Sequence, residues 1–134
     1  MVNFFKVILT VILSVFIWTI GSILLSAVLM LVPVLLADNN PNLESLVYWL
    51  LGNKIADHLF VVTVRGLPML LAAWVSFKIH NESKTCYTIS SIIAVCIIIA
   101  MQIHGVIVGD SNMLWLLEGA FVQITTAMIF RSEY

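Results

Sequence analysis

Three ionisable residues stand inside long apolar stretches of this chain: Arg65, His104 and Glu118. A guanidinium and a carboxylate can form an ion pair, and an imidazole beside them can share or pass a proton. A charge at the centre of a membrane helix costs on the order of 2.5–3.5 kcal/mol on insertion scales, so each group is expected to face a helix bundle, a water cavity or a partner. Arg65 and Glu118 are the natural pair, with His104 able to share it. The cluster reads either as a transport or gating site or as a structural pair that holds helix register.

Other chemistry is not legible. There is no H-E-x-x-H, no G-x-S-x-G, no phosphate loop and no acid–base pair at helical spacing, so the chain is expected not to be an enzyme and to carry no cofactor. Cys86 and Cys96 lie more than two helical turns apart, which excludes a bridge and leaves no metal-ligand spacing. Both read as small packing residues.

The elements that must position the three residues follow from composition. Of 134 residues, 62% are hydrophobic and 10% charged, far from the balance of a soluble domain. Six basic against seven acidic residues leave no basic patch for nucleic acid and no polybasic run for anionic headgroups. The expected fold is an all-α polytopic membrane helix bundle: one transmembrane domain over residues 1–134, with spans at about 7–36, 56–79, 86–108 and 114–130.

The first apolar block, Phe4 to Ala37, would reach roughly 50 Å as a helix, too long for a signal peptide and longer than a hydrocarbon core of about 30 Å. It should tilt or protrude, with a break expected near Pro33. Asp38, Asn39, Asn40, Pro41 and Asn42 read as a loop, and Leu43 to Leu51, with Tyr48 and Trp49, as a short interfacial helix. Polar connections then fall at His80 to Lys84 and at Gly109 to Asn112.

Counting at 1.5 Å per residue puts Arg65, His104 and Glu118 roughly 9–12 Å below one surface. Helical periodicity at about 100° per residue places Gly119, Gln123, Thr125 and Thr126 on the half of the last helix that carries Glu118, and Leu117, Phe121, Ile124 and Met128 on the lipid half. The same arithmetic aligns His58, Arg65, Ala72 and Ser76 in the second span, and Thr10, Ser14, Trp18 and Gly21 in the first. Gln102 and His104 point in nearly opposite directions, and periodicity does not say which turns inward.

Two functions fit. One is a non-catalytic factor acting by intramembrane protein–protein interaction, in assembly, regulation, immunity or exclusion; its partners are the lipid bilayer and another membrane protein or a second copy. The other is a small oligomeric ion or solute transporter or channel using Glu118 with Arg65. Size and style suggest a bacterial cytoplasmic (inner) membrane.

Orientation follows from the basic residues, because cytoplasmic loops retain Lys and Arg. Four spans put Lys6, Lys78, Lys84 and Arg131 on one side, against Lys54, Asp38, Glu44, Asp57 and Asp110 on the other. Both termini are then cytoplasmic. Three spans, with the Arg65 segment re-entrant, would separate them. Single-cysteine variants labelled with an impermeant reagent should react from outside at Asn40 and Ser111 and be protected at Ser83; the reverse pattern would invert the topology.

Overall fold

A computed structural model describes residues 4–39, 45, 52–109 and 112–134, with the backbone alone described at 33 and 36–39. Four helices account for nearly all of them: α1 Phe4–Asn39, α2 Lys54–Ile79, α3 Lys84–Ile107 and α4 Met113–Arg131. All four are long and apolar enough to cross a membrane. The expected interfacial helix at Leu43 to Leu51 falls outside the described residues, apart from Ser45 and the single helical position it occupies.

Local chemistry explains where three of the helices begin. Asn53 accepts from the amides of Ile55 and Ala56, Ser83 from Cys86, and Asn112 from Trp115, so each N-cap side chain satisfies an amide that the helix itself leaves open. Gly109, at φ +87°, follows α3 in the left-handed conformation that only glycine adopts without strain. Inside the spans, the hydroxyls of Thr10, Thr19, Thr88, Thr125 and Thr126 each donate to the carbonyl four residues back. A threonine satisfied by its own helix needs no polar neighbour. Thr125 is accordingly exposed, against its expected inward setting.

Two boundaries differ from the expectations. α1 runs through Pro33 without a break and takes in Asp38 and Asn39, which the sequence had assigned to the loop. Polar side chains at a helix end disturb no backbone bond, so Asp38 and Asn39 can continue the helix. α2 is likewise one helix through Arg65, Gly66 and Pro68, so the segment that a three-span chain would fold back on itself is long enough to cross.

The helices form a ring in the order α1, α2, α4, α3; across its diagonals α2 and α3 touch lightly, and the backbones of α1 and α4 do not meet among the described residues. Trp18, Met69, Val95, Ile98 and Ala127 make the central apolar cluster, and Val7, Val11 and Cys86 a second one toward the end where α1 begins. Thr10, Ser14 and Trp18 of α1 and Ala72 and Ser76 of α2 are buried, as their shared faces predict. At the α1–α2 crossing, a Cβ on Gly21 would stand 3.0 Å from the Cβ of Pro68, so this close approach depends on glycine.

The end of the bundle that carries Lys6, Lys84 and Arg131 is closed by aromatic rings. Phe77 meets Tyr134 with centroids 5.1 Å apart, Tyr87 lies 5.4 Å from Tyr134, and Phe130 packs on Phe77 at 5.7 Å. Tyr134 donates from its hydroxyl to the carbonyl of His80 at 2.7 Å. Burial, with Tyr87 and Cys86 adding to it, pushes the Tyr134 hydroxyl up to about 12, so it remains a donor at neutral pH. His80 is 3% exposed, and its Nε2 lies 3.1 Å from Ser90 Oγ.

Burial, and then the charge of Lys6, hold the His80 imidazole below its usual value and keep it neutral. A folded pKa below the unfolded one means that the unfolded chain binds more protons between the two values. The stability from neutral His80 is therefore complete above about 6.5, the ordinary histidine pKa, and is lost as pH falls from there toward the depressed folded value. The midpoint of thermal unfolding in detergent should drop between about pH 7.5 and 5.5, and His80→Gln should flatten that slope; an unchanged slope would remove His80 as its cause.

Candidate functional site: a polar layer joining four helices

Halfway along the bundle, one hydrogen-bonded layer takes a member from every helix. The α2 guanidinium of Arg65 donates through Nη1 to Gln102 Oε1 of α3 at 2.5 Å and to the Trp115 carbonyl of α4 at 3.2 Å. Gln102 Nε2 donates to Gln123 Oε1 at 2.7 Å and to its own helix at Ile98 O, 3.3 Å away. From α1, the indole Nε1 of Trp18 donates to the carbonyl of Arg65 at 3.3 Å, and Ser22 Oγ to that of Val64 at 3.2 Å. The Gln123 amide has two useful settings: in one its nitrogen donates to Arg65 O at 3.5 Å, and in the other its oxygen accepts from Trp18 Nε1 at 3.1 Å.

Geometry explains the reach of Arg65. Counted from the helix starts, it lies about 16 Å along α2, whereas Trp115 is in the first turn of α4. A helical side chain points back toward its own N-terminus, which carries the guanidinium toward that first turn. Gly119 leaves it room. A Cβ there would stand 2.6 Å from both Arg65 Cδ and Gln102 Oε1, so a larger residue would force these side chains aside.

Of the three residues singled out in the sequence, the layer contains only Arg65. Glu118 pairs with His58 of α2 instead, Nδ1 to Oε1 at 2.5 Å, and this is the one ion pair among the described residues. His58 is 46% exposed and Glu118 25%, which places the pair at the rim of the bundle; Glu118 Oε2 is nevertheless buried without a hydrogen-bond partner among the described residues. His104 joins neither group and is exposed on α3. Two residues separate it from Gln102, a rotation of about 200°, so once Gln102 turns inward His104 must face out.

Gln102, Gln123 and Trp18 therefore carry the layer. Trp18 and Gln123 lay on faces that periodicity turned inward, and Gly119 was on the same half of α4. Leu117, Phe121, Ile124 and Met128 take the exposed half as expected. Nothing in the spacing could select Gln102 over His104.

The layer satisfies its own polar groups through neutral amides, indole and carbonyls, which is chemistry for holding helices together. The His58–Glu118 pair is different: a carboxylate with one open buried oxygen, beside a half-exposed imidazole, can accept a proton or a cation. No group of three or more metal-ligating residues occurs among the described residues. Comparison with known protein families, curated proteins and solved structures finds no match.

The contacts predict a pattern of coupling. Arg65→Ala and Gln102→Ala should each lower the unfolding midpoint in detergent and combine non-additively, with a coupling of about 0.5–3 kcal/mol. Gly119→Val should cost about 1–3 kcal/mol by overpacking the same site. Strict additivity of Arg65→Ala with Gln102→Ala would show that the two side chains do not act together.

Proposed function

We propose that the chain works by intramembrane protein–protein interaction, as an assembly, regulatory, immunity or exclusion factor in a bacterial cytoplasmic membrane, with both termini cytoplasmic. The observation that carries this reading is the outer third of α1. From Ala27 to Leu35 every side chain described is exposed, on all faces of the helix, although nearly all are large and apolar. Within the bundle a helix has a buried stripe and a lipid stripe; here the buried stripe ends while the helix continues.

At 36 residues α1 is about 54 Å long, well beyond a hydrocarbon core of about 30 Å. Ser26 and Ala27, at the start of this stretch, are small enough for another helix to approach closely. The polar groups of the bundle, by contrast, are mostly spent on one another. What the molecule offers to others is apolar helical surface, and the partner is a transmembrane helix of another protein or of a second copy.

A second reading, a small oligomeric transporter or channel, is favoured by one observation, the open buried oxygen of Glu118 beside His58. Photo-crosslinking amino acids placed at Val28 or Leu31 in native membranes should give a discrete protein adduct, and the same groups at Phe121 on α4 should give fewer. Glu118→Gln should leave these adducts unchanged. Adducts to lipid alone would remove the interaction reading, and loss of a proton-coupled flux in Glu118→Gln vesicles would establish the second.

A further inference from the structure

On the outside of the bundle, α3 and α4 leave a groove of about 250 Å³ between them. Its walls are apolar, with Ile92, Val95 and Ile99 from α3 facing Ile124, Ala127 and Met128 from α4. The buried seam behind it is closed by Tyr87, which donates to the carbonyl of Ala127 at 2.8 Å. At one mouth stands Arg131. Its Nε donates to Thr88 Oγ1 at 3.0 Å, and the Thr88 hydroxyl spends its own proton on the carbonyl of Lys84 at 2.8 Å, which leaves its oxygen free to accept from the guanidinium.

This arrangement fixes the stem of the guanidinium and leaves its terminal nitrogens without a bond to any described residue. The one ion pair among the described residues is His58–Glu118 at the opposite end of the bundle, so neither Arg131 nor Lys84 has a described carboxylate within pairing distance. Glu82 and Glu133, the acids nearest in sequence, are exposed. Lys84 and Thr88 are one helical turn apart, which puts both cations at the same rim. As the first residue of α3 and the last of α4, they also lie where the apolar spans end, at headgroup depth.

We propose that this groove is a binding site for an anionic phospholipid, with one acyl chain along the α3–α4 seam and the phosphate held by the free edge of Arg131, assisted by Lys84. An apolar slot that ends in an unmatched, pre-oriented guanidinium matches that molecule at both of its ends. Two N–H donors on one edge of an arginine meet two phosphate oxygens, a geometry that a lysine cannot reproduce. A transmembrane helix lying in the slot would have no use for the cations. The basic residues that make the rim lie far apart in sequence, which is why no polybasic run announces it.

Cys96 provides the readout, because it is exposed and lines the groove while Cys86 is buried and serves as an internal reference. In the delipidated full chain in detergent, alkylation of Cys96 by N-ethylmaleimide is followed by peptide mass spectrometry. The additions are phosphatidylglycerol, phosphatidylcholine with the same chains, or inorganic phosphate. Phosphatidylglycerol should protect Cys96 at about fivefold lower concentration than phosphatidylcholine, the ratio that about 1 kcal/mol per basic residue at a lipid surface provides. Inorganic phosphate should not protect.

Arg131→Gln should bring the two lipids to near equality. Should that variant fail to fold, Arg131→Lys and Thr88→Val are expected to reduce the preference in its place, and native mass spectrometry of the wild-type chain should retain phosphatidylglycerol over phosphatidylcholine. Equal protection by the two lipids in the wild type, a fivefold preference that survives all three substitutions, or protection by a co-purifying protein in place of lipid would each overturn the proposal.

Discussion

The arrangement of this bundle depends on the arginine in the middle of α2. A guanidinium that starts so far inside an apolar helix has to be met by oxygen, and in a membrane that oxygen comes from neighbouring helices. Arg65 finds it on Gln102 of α3 and on the backbone of α4, while its own carbonyl receives Trp18 of α1. Individual hydrogen bonds between membrane helices average only about 0.6 kcal/mol, because the separated helices also find partners. Their combined effect is on register: sliding any helix by one turn, about 5.4 Å, would break its bond to the layer.

Small residues make the layer possible. Gly119 admits the arginine and Gln102 against α4, and Gly21 lets α1 approach α2 at Pro68. Gly66, on the α2 face toward α4, would meet Val122 at 2.7 Å if it carried a Cβ. The glycines therefore sit at the crossings around Arg65, where backbone separation decides whether the hydrogen bonds close. Their role is packing, since none of the three has positive φ.

Along its axis the bundle has three chemically distinct levels. One end is capped by aromatic rings and the neutral His80, with basic residues at the rim; the middle is the amide and guanidinium layer; the other end carries the His58–Glu118 pair and the exposed stretch of α1 that begins at Ala27. Among the described residues, the groups best placed to meet another molecule are the apolar surface of α1, the groove ending at Arg131 and the Glu118 carboxylate. These sit at the periphery of the bundle, which is where the proposed intramembrane interaction would take place.

The sequence by itself determined four apolar helices, the polar connections between them and most of the buried faces of α1, α2 and α4, His58 and Thr125 being exposed against expectation. These properties depend on local composition and on a repeat of 3.6 residues, which act before any helix meets another. It also marked Arg65 as a residue that must find partners, because the cost of an unsatisfied charge in hydrocarbon does not depend on the fold. Which partners it finds was a matter for the tertiary structure. The sequence favours Glu118, with His104 able to share it, whereas the structure gives Gln102 and the Trp115 carbonyl, an outcome set by ring order, by the room left by Gly119 and by the direction in which a helical arginine points. His104 went outward for the same reason, since α3 can turn only one side to the core and Gln102 occupies it. The rim of Arg131 and Lys84 likewise exists only once α3 and α4 lie side by side, because spacing along a chain carries no information about which helix ends become neighbours.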